Sequence, residues 1–363
     1  MNVAFLVGNG FDLNLGLKTT YIDFLKSHYL LPNDDDLPVV KDFKEAIRED
    51  LINNLPLWSD AELALGRCTV NFTKTKDFID CHRSFCFSLC EYLKKLPLPE
   101  IWSGNSGTIK NVLRNGLTKF YERLLPEEIE FIASKFRNSK EVNYGFIDFN
   151  YTHTLARFLD LLPSDDQFFY EDDLENQYFI KKPYLKVHGD LDSCIILGVG
   201  TEGQIENKDF RNQKIIRQAL LKNGMHSVLS NGVKKNVYNA LLASDIVCIY
   251  GMSLGKTDSF WWNHIVDWLY KNRSRYVVVF IKSKTLDTVY PGDIALEVNE
   301  YKQRLFRDKQ NLQSACEDRV LICRNPIFDF SYAFGDENGL FWTEQDSWTR
   351  IEGPKKKSIG MEY

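Results

Sequence analysis

Apolar positions along the chain fall into two kinds of run. Short, nearly continuous runs occur at Val3-Ala4-Phe5-Leu6-Val7, Tyr144-Gly145-Phe146-Ile147-Asp148-Phe149, Tyr184-Leu185-Lys186-Val187, Cys194-Ile195-Ile196-Leu197, Asp245-Ile246-Val247-Cys248-Ile249-Tyr250 and Tyr276-Val277-Val278-Val279-Phe280-Ile281. Apolar stretches of this length without clean alternation predict strands buried on both faces. Val320-Leu321-Ile322-Cys323 reads as an outer strand. The other runs recur at helical spacing: Ile22, Leu25 and Tyr29 behind a Thr20/Asp23 capping box; Phe43, Ile47 and Leu51 within 42–55; Phe78, His82, Phe85, Leu89 and Tyr92; Ile109, Val112, Leu113, Leu117 and Phe120. A helix is also expected over 155–162, and another carries Trp261, Ile265, Trp268 and Leu269.

This order of elements predicts an α/β protein. A sheet core from 1–30 and 141–330 is interrupted by a helical insertion over 31–140, and 331–363 forms a C-terminal extension expected to be partly disordered. The acid-rich stretch 163–177 reads as a loop, either a lid or a connector. Between 201 and 240 the chain is polar and basic, with Lys214, Arg217, Lys222, Lys234 and Lys235; it reads as a solvated face, with assistance to phosphate binding as the alternative.

Composition narrows the function classes. The 363 residues are 44% hydrophobic, 13% aromatic and 26% charged, a globular balance that buries one large core or two modest ones. A net charge of -5 supplies no bulk field for nucleic acid or anionic lipid, so an anionic ligand would have to be held locally. No apolar run reaches the length of a membrane span and the start lacks a signal-peptide pattern, so the expected location is the cytoplasm. None of the eight cysteines forms a Cys-x-x-Cys pair. Cys81, His82, Cys86 and Cys90 share an apolar helical stretch, which favours packing over a metal site, and no metal is expected. Glu62 and Arg67, near Trp58, read as surface charge, with reach into a site as the alternative, and His153 as packed or solvent-facing.

Chemistry concentrates where strands end. Four apolar runs stop at Gly8-Asn9-Gly10 with Asp12, at Asn150-Tyr151-Thr152, at His188-Gly189, and at Gly251 through Ser253 to Asp258. In an open parallel sheet the carboxyl ends of strands face one crevice, so these clusters are expected to meet. Gly-x-Gly after a strand suits close approach of backbone to a ligand, with the amides of Gly8 to Gly10 positioned for phosphate; its alternative is a tight turn. Asn150 has the alternative of a strand-end turn residue, His188 of a polar turn residue, and Asp258 of a helix N-cap.

The same residues resemble the bacteriophage abortive infection AbiH family. The resemblance is carried by Gly8-Asn9-Gly10-Phe11-Asp12-Leu13, Gly16-Leu17, Tyr21, Asp23 and Phe24, then by Phe149-Asn150-Tyr151-Thr152, Val187-His188-Gly189, and Gly251-Met252-Ser253-Leu254 with Asp258. More distantly the order is similar to sirtuin-like NAD-consuming domains. The resemblance implies a Rossmann-like, mostly parallel sheet with a large helical insertion and a role in anti-phage defence. It further implies NAD as substrate, hydrolysed at its N-glycosidic bond. Asn150 would orient the ribose or the water and His188 would be the base, while Gly8, Asn9, Gly10, Asp12, Thr152, Gly189, Gly251, Ser253 and Asp258 hold the nucleotide. A homo-oligomer or a phage-derived trigger is expected to restrain or release activity.

The chain departs from sirtuin-like domains in three ways. Those domains usually read Gly-Ala-Gly and Asn-Tyr-Asp, where this chain has Asn9 and Thr152. Asp12 adds a carboxylate that would repel a pyrophosphate unless it binds ribose hydroxyls or a helix terminus. The four-cysteine zinc module of protein deacetylases has no counterpart, which excludes deacetylation. Two alternatives to the enzyme stay open: a nucleotide-binding sensor, and an interaction module whose helical insertion does the work.

Overall fold

In β1 (Asn2–Val7) alternate side chains leave on opposite faces: Val3, Phe5 and Val7 enter one apolar core, and Ala4 and Leu6 enter another. This explains an apolar run without alternation, because both faces are covered. The computed structural model describes residues 1–53, 58, 60–101, 103–229, 232–285, 290–325 and 327–334. Of the expected extension, residues 331–334 form a helical turn, and 335–363 lie outside the described residues.

Among the described residues seven strands make one sheet. They are β1, β2 (Glu141–Asp148), β3 (Phe168–Glu171), β4 (Gln177–Lys186), β5 (Ile246–Tyr250), β6 (Tyr276–Phe280) and β7 (Val320–Cys323), in the spatial order β3-β4-β2-β1-β5-β6-β7. Every pairing is parallel except β3 with β4. With the antiparallel edge strand set aside, β4-β2-β1-β5-β6-β7 has the doubly wound Rossmann order, whose reversal point lies between β1 and β5.

Helices cover both faces. On the face of Phe5 lie α6 (Ser103–Thr118) and α7 (Pro126–Arg137), through Ile109, Leu113, Leu117, Ile132 and Phe136, together with α8 (Thr154–Leu159). On the face of Leu6 lie α12 (Val233–Ala243), α13 (Ser259–Lys271) and α14 (Pro291–Leu305). Short helix α1 (Gly10–Asn14) follows β1 directly.

A third core forms a helical lobe. It joins α2 (Tyr21–Phe24), whose cap Thr20 accepts from the Asp23 amide at 3.0 Å, to α3 (Pro38–Asn53), α4 (Ala61–Cys68) and α5 (Thr75–Lys95). The 31–140 run is thus shared between this lobe and the sheet-covering α6 and α7. The loop carrying Leu191, Leu197 and Val199 and the helix α10 (Lys214–Leu220) pack into the lobe, flanked by α9 (Lys208–Arg211) and α11 (Lys222–Leu229).

Two expectations differ from the structure. The stretch 163–177 is not all loop, since Phe168–Glu171 pairs with β4, which itself begins at Gln177 rather than Tyr184. The acidic residues that disguise it build the turn: Asp172 accepts from the amides of Leu174 and Asn176 at 2.9 Å and from the Tyr178 hydroxyl at 2.9 Å. Conversely 194–197 is not a strand; only Ile195 bridges, to Gly189, and Ile196 and Leu197 are buried as loop residues.

Candidate functional site

A cavity of about 220 Å³ opens at the carboxyl ends of β4, β2, β1 and β5, beside the reversal point of the sheet. The sheet side supplies Asn9, Asp12, Asn150, Thr152, His188 and Asp258; the helical lobe closes the other side with Tyr21, Asp60, Glu62 and Leu89. Residues 176 positions apart, Asp12 and His188, thus face one space. Gly8, Gly251 and Ser253 also line it, Ser253 at its exposed rim.

Asp12 sits on the cavity floor at 1% exposure. The Thr152 hydroxyl donates to its Oδ2 at 2.6 Å, whereas Oδ1 has no hydrogen-bond partner among the described residues. Burial pushes the carboxyl up to about 7; the hydroxyls of Thr152 and Thr154 oppose the rise and the nearby Asp148 carboxyl adds to it. Asn150, 5% exposed, presents a second buried atom without a partner, Nδ2. Buried polar atoms are normally satisfied; the Thr154 hydroxyl also acts on the Asp12 carboxyl, and both Asp12 and Asn150 line the cavity.

The turn that presents Asn150 and Thr152 is held from beneath. Asp148 at the end of β2 accepts from the Asn150 amide at 2.9 Å and pairs with the Lys186 ammonium at 2.8 Å. Lys186 also donates to the carbonyls of Asn150, at 3.1 Å, and Thr152. Asn9 is fixed in a similar way: its Nδ2 donates to the Thr19 carbonyl at 3.1 Å, and the Thr19 hydroxyl donates to its Oδ1 at 2.5 Å.

His188 lies edge-on to Phe149, ring centroids 5.2 Å apart, with Nε2 3.0 Å from Asp258 Oδ1. Lys222 from α11 reaches the same carboxylate at 2.8 Å and Glu62 at 2.8 Å, and the Thr257 hydroxyl donates to Glu62 at 2.7 Å. Burial would raise the Asp258 pKa, but the Lys222 ammonium and the His188 ring hold it well below the carboxylate range. Glu62 goes the other way, raised by burial against the opposing pull of Lys222. Burial would lower the Lys222 pKa, yet the two carboxylates overcome it and keep it raised.

Several sequence expectations are corrected here. The amides of Gly8 and Gly10 are not open to a phosphate: they donate to the carbonyls of Tyr250 and Gly251, each at 2.9 Å. Glycine is required because two backbone loops touch, and a Cβ on Gly10 would meet the Gly251 Cα at 2.4 Å. Neither Gly10 nor Gly189 lines the cavity; Gly189 is a turn residue at φ +73°, where a Cβ would meet the Cys194 carbonyl oxygen at 1.8 Å. Glu62 is buried rather than surface charge, and Lys222 is buried rather than solvated. Asp258 does precede α13, but its side chain makes no capping hydrogen bond. Other residues sit as read: His82 is buried, its Nε2 3.1 Å from the Leu197 carbonyl, and exposed His153 lies 2.9 Å from Asp192. Among the described residues no group of three or more metal-ligating side chains gathers, and no helix is long and apolar enough to cross a membrane.

A family model described as "Bacteriophage abortive infection AbiH" matches residues 4–280, which span the sheet through β6, the helical lobe and the whole cavity. No curated protein matches the chain.

Proposed function

From the premise that the chain belongs to the AbiH family, which supports a role in bacteriophage abortive infection, we propose that it hydrolyses NAD or a related nucleotide at the N-glycosidic bond to arrest the infected cell. The observation that carries this reading is that one cavity is lined by Asp12, Asn150 and His188 together.

The reaction needs little covalent chemistry from the protein. A water oxygen bonds to the anomeric carbon of the ribose while the carbon–nitrogen bond breaks. The bonding pair returns to the pyridinium nitrogen and neutralises it, and the water gives up a proton. Asn150 Nδ2 would hold a ribose hydroxyl or the water. Positive charge that develops on the ribose is favoured by the carboxylates of the lining. The proton would go to His188, whose ring is held by the contact of its Nε2 with Asp258. Asp12, with a pKa of about 7, is a second acceptor within the same wall.

A ligand-binding sensor without turnover is favoured by one feature, the shared walls. Tyr21, Asp60 and Glu62 of the helical lobe complete the cavity, so occupancy couples to the lobe. In either reading a phage-derived trigger or self-association would set when the site acts. Incubating the purified protein with NAD, alone and with phage lysate, separates them. Release of nicotinamide that Asn150→Ala and His188→Ala abolish supports hydrolysis. Saturable binding without release supports the sensor, and absence of both overturns the nucleotide reading.

A further inference from the structure

The charges around the cavity do not suit a pyrophosphate. Its lining carries four carboxyl groups, Asp12, Asp60, Glu62 and Asp258, beside the His188 imidazole; among the described residues no lysine or arginine lines it. The two nearest ammonium groups are already engaged. Lys222 is shared by Glu62 and Asp258, and Lys186 by Asp148 and two backbone carbonyls. The amides of Gly8 and Gly10 do not make up the deficit, because they donate to neighbouring carbonyls. An anion brought into this space would meet carboxylates without a free counter-charge.

The same lining suits a cation. Tyr21, Phe149, Tyr151 and Trp262 contribute aromatic rings, and carboxylates stand among them. Aromatic rings and carboxylates in one lining suit a flat, delocalised positive charge. Asp12 and Asn150 line the same space and bring a carboxyl acceptor and an amide donor, the pair that a sugar diol would fill.

We infer that this cavity selects a cationic N-riboside, a ribose bonded to a positively charged heteroaromatic base, and leaves any phosphate outside its walls. The inference rests on the hydrolase reading of the site and narrows its substrate class. In NAD only the nicotinamide riboside half would enter. A phosphate-free pyridinium riboside would be taken at least as readily as the dinucleotide, and the 5′-phosphate of a mononucleotide would be a penalty rather than a handle.

The test is a calorimetric titration of the full-length protein with nicotinamide riboside, its neutral dihydro form, nicotinamide mononucleotide and ADP-ribose, beside a nicotinamide-release assay on NAD. The expected order has nicotinamide riboside tightest, with the dihydro riboside and the mononucleotide each at least tenfold weaker and ADP-ribose weaker still. Equal or tighter binding of the mononucleotide or ADP-ribose, with nicotinamide still released from NAD, would overturn the charge selection and leave the hydrolase reading standing. Equal binding of the dihydro riboside would likewise overturn it, because shape rather than charge would then be recognised. Failure of all four to bind, with no release from NAD, would overturn the hydrolase reading and this inference with it.

Discussion

The Thr152 hydroxyl donates to Asp12 Oδ2 at 2.6 Å across the cavity floor, joining α1 to the loop after β2. Through this bond a buried carboxyl that lines the cavity is held in place, with the Thr154 hydroxyl also acting on it. The arrangement is expensive for folding when Asp12 is ionised, and that cost is measurable.

Because the folded pKa of Asp12 is about 7 against an ordinary value of 3.8, the folded protein binds more protons than the unfolded chain between those values. Stability from this group is therefore full below about pH 4 and is lost as pH rises toward 7, at about 1.4 kcal/mol for each pH step of one. Urea unfolding across pH 4 to 8 should show a falling contribution that Asp12→Asn removes, leaving the variant more stable than the parent at pH 7 and above. An unchanged pH slope in Asp12→Asn would contradict the assignment.

Lys222 joins α11 to the lobe and to the loop before α13 through Glu62 and Asp258. Lys222→Met leaves two buried carboxylates facing each other without a counter-charge, a loss of about 3 to 5 kcal/mol. Glu62→Gln combined with Lys222→Met should recover part of it. Denaturant midpoints of the two variants check this, and equal midpoints would mean that the carboxylates do not share one cation.

Gly10 and Gly107 should respond oppositely to alanine. At Gly10 a Cβ strikes the Gly251 backbone, so Gly10→Ala should destabilise by about 1 to 3 kcal/mol and distort the cavity mouth. Exposed Gly107 in α6 has open space around a Cβ, and Gly107→Ala should stabilise by about 0.4 to 1 kcal/mol. Thermal midpoints of the pair decide it.

What the sequence reveals, and what it hides, follows from how each feature is encoded. Buried strands such as β1, β5 and β6 announce themselves, because both faces are apolar and no polar position interrupts them. Parallel topology then brings Asn150 and His188 to one rim, as their positions at strand ends imply. β3 is hidden by the acidic residues around it, whose side chains serve turn hydrogen bonds rather than solvent. Glu62 and Lys222 are hidden for a different reason: each looks like a surface charge until its partner, 160 positions away, is placed beside it. The glycine loop misleads too, since close contact between two backbones and close contact with a phosphate demand the same residue.

The central claim is that Asn150 and His188 act on one bound ligand in one step. Groups that act as a unit lose activity non-additively. The deciding measurement is the rate of nicotinamide release from NAD by the parent, Asn150→Ala, His188→Ala and the double variant, each first shown to unfold at the parent's midpoint. The account predicts that each single substitution removes nearly all turnover and that the double variant is no slower than the slower single one. Losses that multiply in the double variant, or turnover that survives Asn150→Ala, would contradict it.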